Sequence, residues 1–211
     1  AAWWIMSDLA IWMAVYVSVP IYPNLVAESV RQIMEHSEAK LCFVGKLDDW
    51  KSMEPGIPKG LPCISTPLCD AKGFKQWDDI VKTTQPMKES PTYGPDHLAT
   101  IIYTSGTTGM PKGAMHGFGA FTYAAQSLQT VTQSGTADRM LSYLPLAHVA
   151  ERAIVEAQSL YIGCHVFFAE SLDTFLADLQ RARPTICFSV PRLWVKFQQG
   201  VFKKMPAKKL D

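Results

Sequence analysis

Hydrophobic positions fall into two ordered blocks along the chain, separated by a stretch punctuated with prolines. Ala1 to Tyr22 is the most apolar stretch. Against a membrane span there stand Asp8, in its first half, and Pro20, near its end. An aspartate at mid-bilayer costs about 2.5–3.5 kcal/mol. Val15 to Ile21 also carries β-branched residues of strand character, ahead of the turn Tyr22-Pro23-Asn24. The pattern therefore predicts a buried helix over Ala2 to Ala14 and a buried strand over Val17 to Ile21. A signal peptide is not indicated, because there is no basic leading region and no small-residue cleavage site. Val26 to Ser37 carries Glu28 near its start and Val30, Ile33 and Met34 on one face, which predicts a helix. Leu41-Cys42-Phe43-Val44 is a short apolar strand ended by Gly45. Helix, strand, helix, strand over residues 1–45 is the order of a layered α/β domain.

From Lys46 to Pro95 the texture changes. Pro55, Pro58, Pro62, Pro67, Pro86, Pro91 and Pro95 recur with Gly56, Gly60 and Gly73 among them. Cys63-Ile64-Ser65 reads as one more strand and Phe74 to Val81 as a short helix. The remainder is expected to be surface connection. Order resumes with a strand at Ala99-Thr100-Ile101-Ile102-Tyr103. A helix from His116 to Val131 follows, with Phe118, Phe121, Ala125 and Leu128 near one face. Strands are then expected at Arg139–Tyr143, Cys164–Phe168 and Thr185–Ser189, and helices at Ala147–Tyr161, Leu172–Arg183 and Leu193–Lys204. Strands alternating with helices of this length predict an α/β fold, a doubly wound and mainly parallel sheet with flanking helices. Ligands of such sheets lie at the carboxyl ends of strands, where the segments at Thr104, Pro145 and Pro191 fall.

Composition narrows the function classes. The 211 residues carry a net charge of +1, so neither nucleic acid nor an acidic membrane surface is implied as a partner. Cys42, Cys63, Cys69, Cys164 and Cys187 are odd in number and include no C-x-x-C pair. They read as free thiols of a reducing compartment, mostly filling core. The histidines show no metal-binding spacing. The lysines at 203, 204, 208 and 209 read as a solvated face.

The densest chemistry lies in Tyr103-Thr104-Ser105-Gly106-Thr107-Thr108-Gly109-Met110-Pro111-Lys112-Gly113. Strand, glycine-rich loop, helix is an arrangement that builds an anion site. Glycines let successive N–H groups turn inward, hydroxyls add donors, and Lys112 supplies a mobile point charge for phosphate oxygens. A Walker A loop requires Gly-Lys-Ser/Thr four residues after its first glycine. Counted from Gly106, Pro111 stands in place of that second glycine and Gly113 in place of the metal-binding hydroxyl, so that reading fails. The stretch resembles instead the phosphate loop of the AMP-forming acyl-CoA synthetases of the adenylate-forming superfamily, [ST]-S-G-[ST]-T-G-x-P-K-G. A serine-, threonine- and glycine-rich surface loop without a role is the plainer reading, but such loops seldom follow a buried strand directly.

Three further stretches are similar to the long-chain fatty-acid–CoA ligase branch of that superfamily. They are Leu144-Pro145-Leu146-Ala147-His148 with Glu151-Arg152; Val190-Pro191-Arg192-Leu193-Trp194 with Lys196-Phe197; and an N-terminal pattern through Trp4, Asp8, Trp12, Ser18, Pro20 and Tyr22. The resemblance implies ATP- and Mg²⁺-dependent formation of an acyl-adenylate and pyrophosphate, then transfer of the acyl group to coenzyme A. It implies that Thr104, Ser105, Gly106, Thr107, Thr108, Gly109, Lys112 and Gly113 form the ATP site, with Lys112 in a supporting role. Thr104 is the candidate magnesium ligand, though Thr104 and Thr108 can exchange roles. His148 and Trp194 are implied in the acyl pocket; the plainer readings are a helix-capping histidine and a core tryptophan. Glu151 and Arg152 are expected to form or orient a local ion pair. Arg192 has two readings, a contact to phosphate or carboxylate and a salt bridge at a helix start.

The family's adenine-binding Y-G-x-T-E segment, ribose-binding aspartate and C-terminal catalytic lysine have no counterpart here, nor does an obvious second magnesium ligand. Ala1 opens inside an apolar helical pattern. These features lead to the expectation of a fragment of a large N-terminal domain, inactive alone, from a cytosolic protein loosely attached to membrane. Residues 46–95 would be its connection and 96–211 the phosphate loop with the following α/β units. The alternatives are an aryl-CoA ligase or another adenylation enzyme, a kinase or ATPase with a divergent loop, and a non-catalytic nucleotide- or lipid-binding relative.

Overall fold

The computed structural model describes residues 2–104 and 111–205. The first helix, α1, spans Ala2–Met13. Its apolar residues are half-buried except for the exposed Ala2, Met6 and Ala10, and its two fully buried positions are polar, Ser7 and Asp8. Pairing of the predicted strand over Val17 to Ile21 is confined to one parallel bridge, Ser18 to Thr100. Pro20 has no N–H to continue the ladder.

Helix α2 (Ala27–His36) buries Val30, Ile33 and Met34 along one stripe, as its 3.6-residue period requires. It covers a parallel sheet of β1 (Cys42–Val44), β2 (Cys63–Ser65) and β3 (Lys75–Gln76), in that order. β2 is the strand expected at Cys63–Ser65, and α4 (Trp77–Thr83) answers the helix expected over Phe74 to Val81, whose first residues form β3 instead. α3 (Trp50–Met53) and a 3-10 turn (Glu54–Gly56) arise in the stretch read as connection. β3, two residues long, carries too little period to be read in advance. The turn packs directly on α2: a Cβ on Gly56 would lie 2.3 Å from the Ala27 carbonyl oxygen, so only glycine fits. Cys42 and Cys63 stand opposite each other across β1 and β2 as free thiols.

Strand β4 (Leu98–Thr104) is buried on both faces over Ala99, Thr100, Ile102 and Tyr103. It pairs antiparallel with β5 (Lys112–Gly117), and helix α5 (Phe118–Thr132) follows. This corrects the expected strand–loop–helix order. His116 and Gly117, read as the start of a helix, pair with Thr100 and Leu98 of β4. The strands on either side of the glycine-rich stretch therefore pair with each other, and α5 opens six residues after Lys112 rather than directly after the stretch.

Next, β6 (Arg139–Ser142) lies parallel to β7 (His165–Phe168). Between them runs a helical stretch in three parts: α6 (Val149–Glu151), a π-helical segment (Arg152–Ala157) and α7 (Gln158–Ile162). Helix α8 (Phe175–Ala182) and helix α9 (Pro191–Lys204) complete the described chain. The predicted strand over Thr185 to Ser189 reduces to a parallel bridge from Ile186 to Met140. Leu141, Phe175 and Ala182 form the core here, with Leu193 and Phe197 of α9 packed against it. The architecture is α/β with mainly parallel pairing, the β4–β5 hairpin being the exception. No helix among the described residues is long and apolar enough to cross a membrane.

Candidate phosphate and acyl site

Thr104 ends β4 and stands opposite Lys112, the first residue of β5. Both side chains are exposed. A hydroxyl and an ammonium are thus presented together at the carboxyl end of a doubly buried strand, where rigid backbone fixes their spacing. Ser105, Gly106, Thr107, Thr108 and Gly109 lie outside the described residues. Gly113 pairs with Tyr103. A Cβ there would fall 2.6 Å from Ile101 Cγ2 and 3.2 Å from Tyr103 Cζ. Close packing of β5 on β4 side chains accounts for this glycine without reference to phosphate.

Below the pair, Tyr103 is buried and its hydroxyl lies 2.6 Å from His36 Nδ1. Burial pushes the Tyr103 phenol up, so the hydroxyl keeps its proton, and the His36 tautomer sets which of the two donates. Nothing in the sequence pattern paired these residues, which are 67 positions apart.

The Leu144–His148 segment leaves β6 and enters α6. His148 is exposed and caps this helix: its Nδ1 accepts from Ala150 N–H at 3.1 Å. The plainer reading is thereby realised, and Nε2 is the nitrogen left for any other task. Trp194 is 52% exposed on α9 and meets Phe197 edge-on, 5.8 Å between ring centroids. Arg192 is exposed and has no salt bridge among the described residues. Among the described residues, no hydrogen bond or ion pair joins Thr104 or Lys112 to His148 or Trp194.

Glu151 and Arg152 were expected to form or orient a local ion pair; Arg152 forms one with Glu156, one turn on, while Glu151 takes other partners. Glu151 is buried and accepts from Ser142 Oγ at 2.7 Å and from Tyr143 N–H at 3.1 Å, tying α6 back to the end of β6. Burial raises its carboxyl pKa, and those two bonds partly offset the rise. Arg152 has no exposed surface. Its guanidinium donates from Nε to Glu156 Oε2 at 3.1 Å, from Nη1 to Thr100 Oγ1, and from Nη2 to Asp8 and, at 3.2 Å, to Ser18 Oγ. The rings of Trp4, Phe121 and Trp12 surround it, 5.3, 5.4 and 5.7 Å from Cζ. Asp8, a residue of the N-terminal pattern, is thus an ion-pair partner across 144 positions. Its presence in an apolar helix was the only sign in the sequence of a buried cation.

Comparison with known proteins agrees with this architecture. Among curated proteins, the chain is 29% identical to fatty acyl-CoA synthetase B of Dictyostelium discoideum, over 97% of this chain and 33% of that protein. It is 32% identical to the peroxisomal long chain acyl-CoA synthetase 6 of Arabidopsis thaliana, over 94% of this chain and 30% of the relative. The chain therefore spans about a third of the length of these curated relatives. Among solved structures, the anthranilate CoA ligase AuaEII in complex with anthranoyl-AMP superposes with a TM-score of 0.78. It shares 21% identity over 90% of this chain and 38% of that one. The o-succinylbenzoate CoA synthetase of Bacillus subtilis, bound to its acyl-adenylate intermediate, superposes with a TM-score of 0.71. Identity there is 20%, over 94% of this chain and 49% of that one. A family described as AMP-binding enzyme matches residues 1–211 in full. The chain belongs to the AMP-binding enzyme family.

Proposed function

We propose that residues 1–211 are part of the N-terminal domain of a long-chain fatty-acid–CoA ligase. In this reading the enzyme forms an acyl-adenylate and pyrophosphate from ATP and a fatty acid, then passes the acyl group to coenzyme A. The observation that carries it is the Thr104–Lys112 pair at the end of β4, in a chain of this family whose curated relatives include long chain acyl-CoA synthetases. Bringing a carboxylate to a triphosphate sets two anions side by side, so charge stabilisation and positioning dominate the barrier. Lys112 supplies positive charge against the departing pyrophosphate, and Thr104 a hydroxyl to the same oxygens. His148, with Nδ1 engaged as a cap, offers Nε2 to orient the acid, and Trp194 forms part of the acyl wall.

No group of three or more His, Cys, Asp or Glu side chains is gathered among the described residues. Mg²⁺ bound with a nucleotide takes few protein ligands and keeps water and phosphate oxygens, and an exposed hydroxyl such as that of Thr104 is chemically suited to it. Thr104 is the residue that would add a hydroxyl to it; when bound, the ion neutralises phosphate charge. A lipid substrate also fits an enzyme working at a membrane periphery.

The test is pyrophosphate release by the full-length protein with ATP, Mg²⁺ and palmitate, octanoate or coumarate. Palmitate-dependent release that falls about a hundredfold in Lys112→Ala is expected, the magnitude typical of losing one charge-stabilising donor. Use of coumarate alone would move the assignment to an aryl-CoA ligase. Release without acid would point to an ATPase. A folded protein that releases nothing with any acid would be a non-catalytic relative.

A further inference from the structure

Within the Leu144–Arg152 segment, Arg152 is hydrogen-bonded to the strand bearing the phosphate site. Its carbonyl-side turn begins at His148, to which it is bonded through the backbone, Arg152 N–H to His148 oxygen at 3.1 Å. Its guanidinium ends on Thr100 of β4, four residues before Thr104. Thr100 is itself held on the far side, its hydroxyl donating to the Ser18 carbonyl at 2.8 Å. The same guanidinium takes Asp8 from α1 and Glu156 from the next turn of its own helix. All four polar partners are buried. A π-helical segment begins at Arg152, and such segments are frequent at functional sites because they redirect one side chain out of helical register. Lysine could not replace this residue, since a point charge on a flexible stem cannot reach four partners in fixed directions.

We infer that Arg152, with Asp8, Thr100 and Glu156, is a positioning device that fixes the phosphate-loop strand and the His148 segment relative to one another. The proposal rests on the ligase reading for its catalytic consequence only. The mechanical coupling follows from the hydrogen bonds alone. β4 cannot shift along its axis without breaking the Arg152–Thr100 bond, and the helix start cannot turn without breaking the bonds to Thr100, Asp8 and Ser18, while Glu156 on the same helical stretch holds the guanidinium in its orientation. Because the guanidinium has no access to water, a lost partner cannot be replaced by solvent. The expected effect therefore reaches both ends of the device.

Two variants of the full-length protein test it. Thr100→Val deletes the hydroxyl that joins Arg152 to β4, and Thr100→Ser retains it. Amide hydrogen exchange is expected to quicken about fivefold in Thr100→Val over both 98–104 and 143–149, with the β1–β2–β3 sheet unchanged and Thr100→Ser close to wild type. Faster exchange confined to β4, or spread evenly over the chain, would overturn the coupling. In the palmitate-dependent assay, Thr100→Val is expected to lower kcat/KM about tenfold at a temperature where it remains folded, with Thr100→Ser restoring it. Unchanged kcat/KM in a protein whose exchange shows the coupling would overturn the positioning role. A wild-type protein that releases no pyrophosphate would refute the ligase reading, and the exchange pattern alone would then decide the coupling.

Discussion

Asp8 and Glu156 flank a single guanidinium in a space without water. Burial, then the charge of Asp8, raises the Glu156 carboxyl from 4.5 to about 8, and burial raises Asp8 as well. One cation cannot balance two buried anions, so the cluster is neutral when Glu156 keeps its proton and Asp8 pairs with Arg152. A hydrogen bond from the protonated Glu156 to the Asp8 carboxylate adds to the rise of Glu156 and lowers Asp8. The groups facing Glu156 are Asp8 from α1, Arg152 from its own helix, and the rings of Trp4, Trp12 and Phe121 around the guanidinium. An unfolded glutamate is ionised above about 4.5, whereas the folded one keeps its proton to about 8. The native state therefore binds the extra proton in that window. The stability this group contributes is complete below the lower value and drains away as pH rises to the upper. Urea midpoints are expected to fall between about pH 5 and pH 8.5, and Glu156→Gln, a neutral mimic, is expected to flatten that fall. An equal slope in the variant would mean that Glu156 is ionised in the native protein.

Individual elements obeyed the sequence pattern where one face meets core, and departed from it where pairing decides. Helix α2 lies within a residue of its expected bounds because Val30, Ile33 and Met34 leave only one way to turn the helix. The segment 112–117 did not follow, although its neighbours favour a helix. Antiparallel bonds to β4 satisfy its backbone, and Gly113 allows an approach that no other residue permits. Gly113→Ala is accordingly expected to lower stability by about 1–3 kcal/mol through overpacking against Ile101 and Tyr103. Chemical denaturation measures it, and a variant within 0.5 kcal/mol of wild type, about the scatter of neutral surface changes, would show that β5 has room to move. His148 shows the converse case, a residue whose local role as a cap is visible beside any role it has in substrate binding.

Across the molecule, apolar packing is divided among local clusters, and polar links join what those clusters do not. Val30, Met34 and Met53 hold α2 against the first sheet, while Leu141, Phe175 and Ala182 hold α8 and α9 against β6. Phe175 touches both Tyr143 and Phe197, at 4.9 and 6.2 Å between centroids. Phe175→Ala should cost about 3–5 kcal/mol and release α9, which carries Trp194. Trp194 is half-exposed in the native protein, and access of a fluorescence quencher to it that stays at the wild-type level in that variant would contradict the link. Between these clusters, β4 is held by Ser18 on one side, β5 on the other and Arg152 from the helical stretch above.

By itself, the sequence determined the alternation of strands and helices, the family through the Thr104–Gly113 stretch, and the α/β class. Each of these depends on residues that are near one another in the chain, where periodicity and motif spacing act directly. The tertiary structure alone decided that the strands flanking the glycine-rich stretch pair antiparallel, that β3 adds to the first sheet from the proline-rich region, and that Asp8, Thr100, Arg152 and Glu156 share one buried site. Those outcomes depend on pairs up to 144 positions apart, where the free energy of satisfying a buried charge or a backbone N–H is set by partners that no local pattern names.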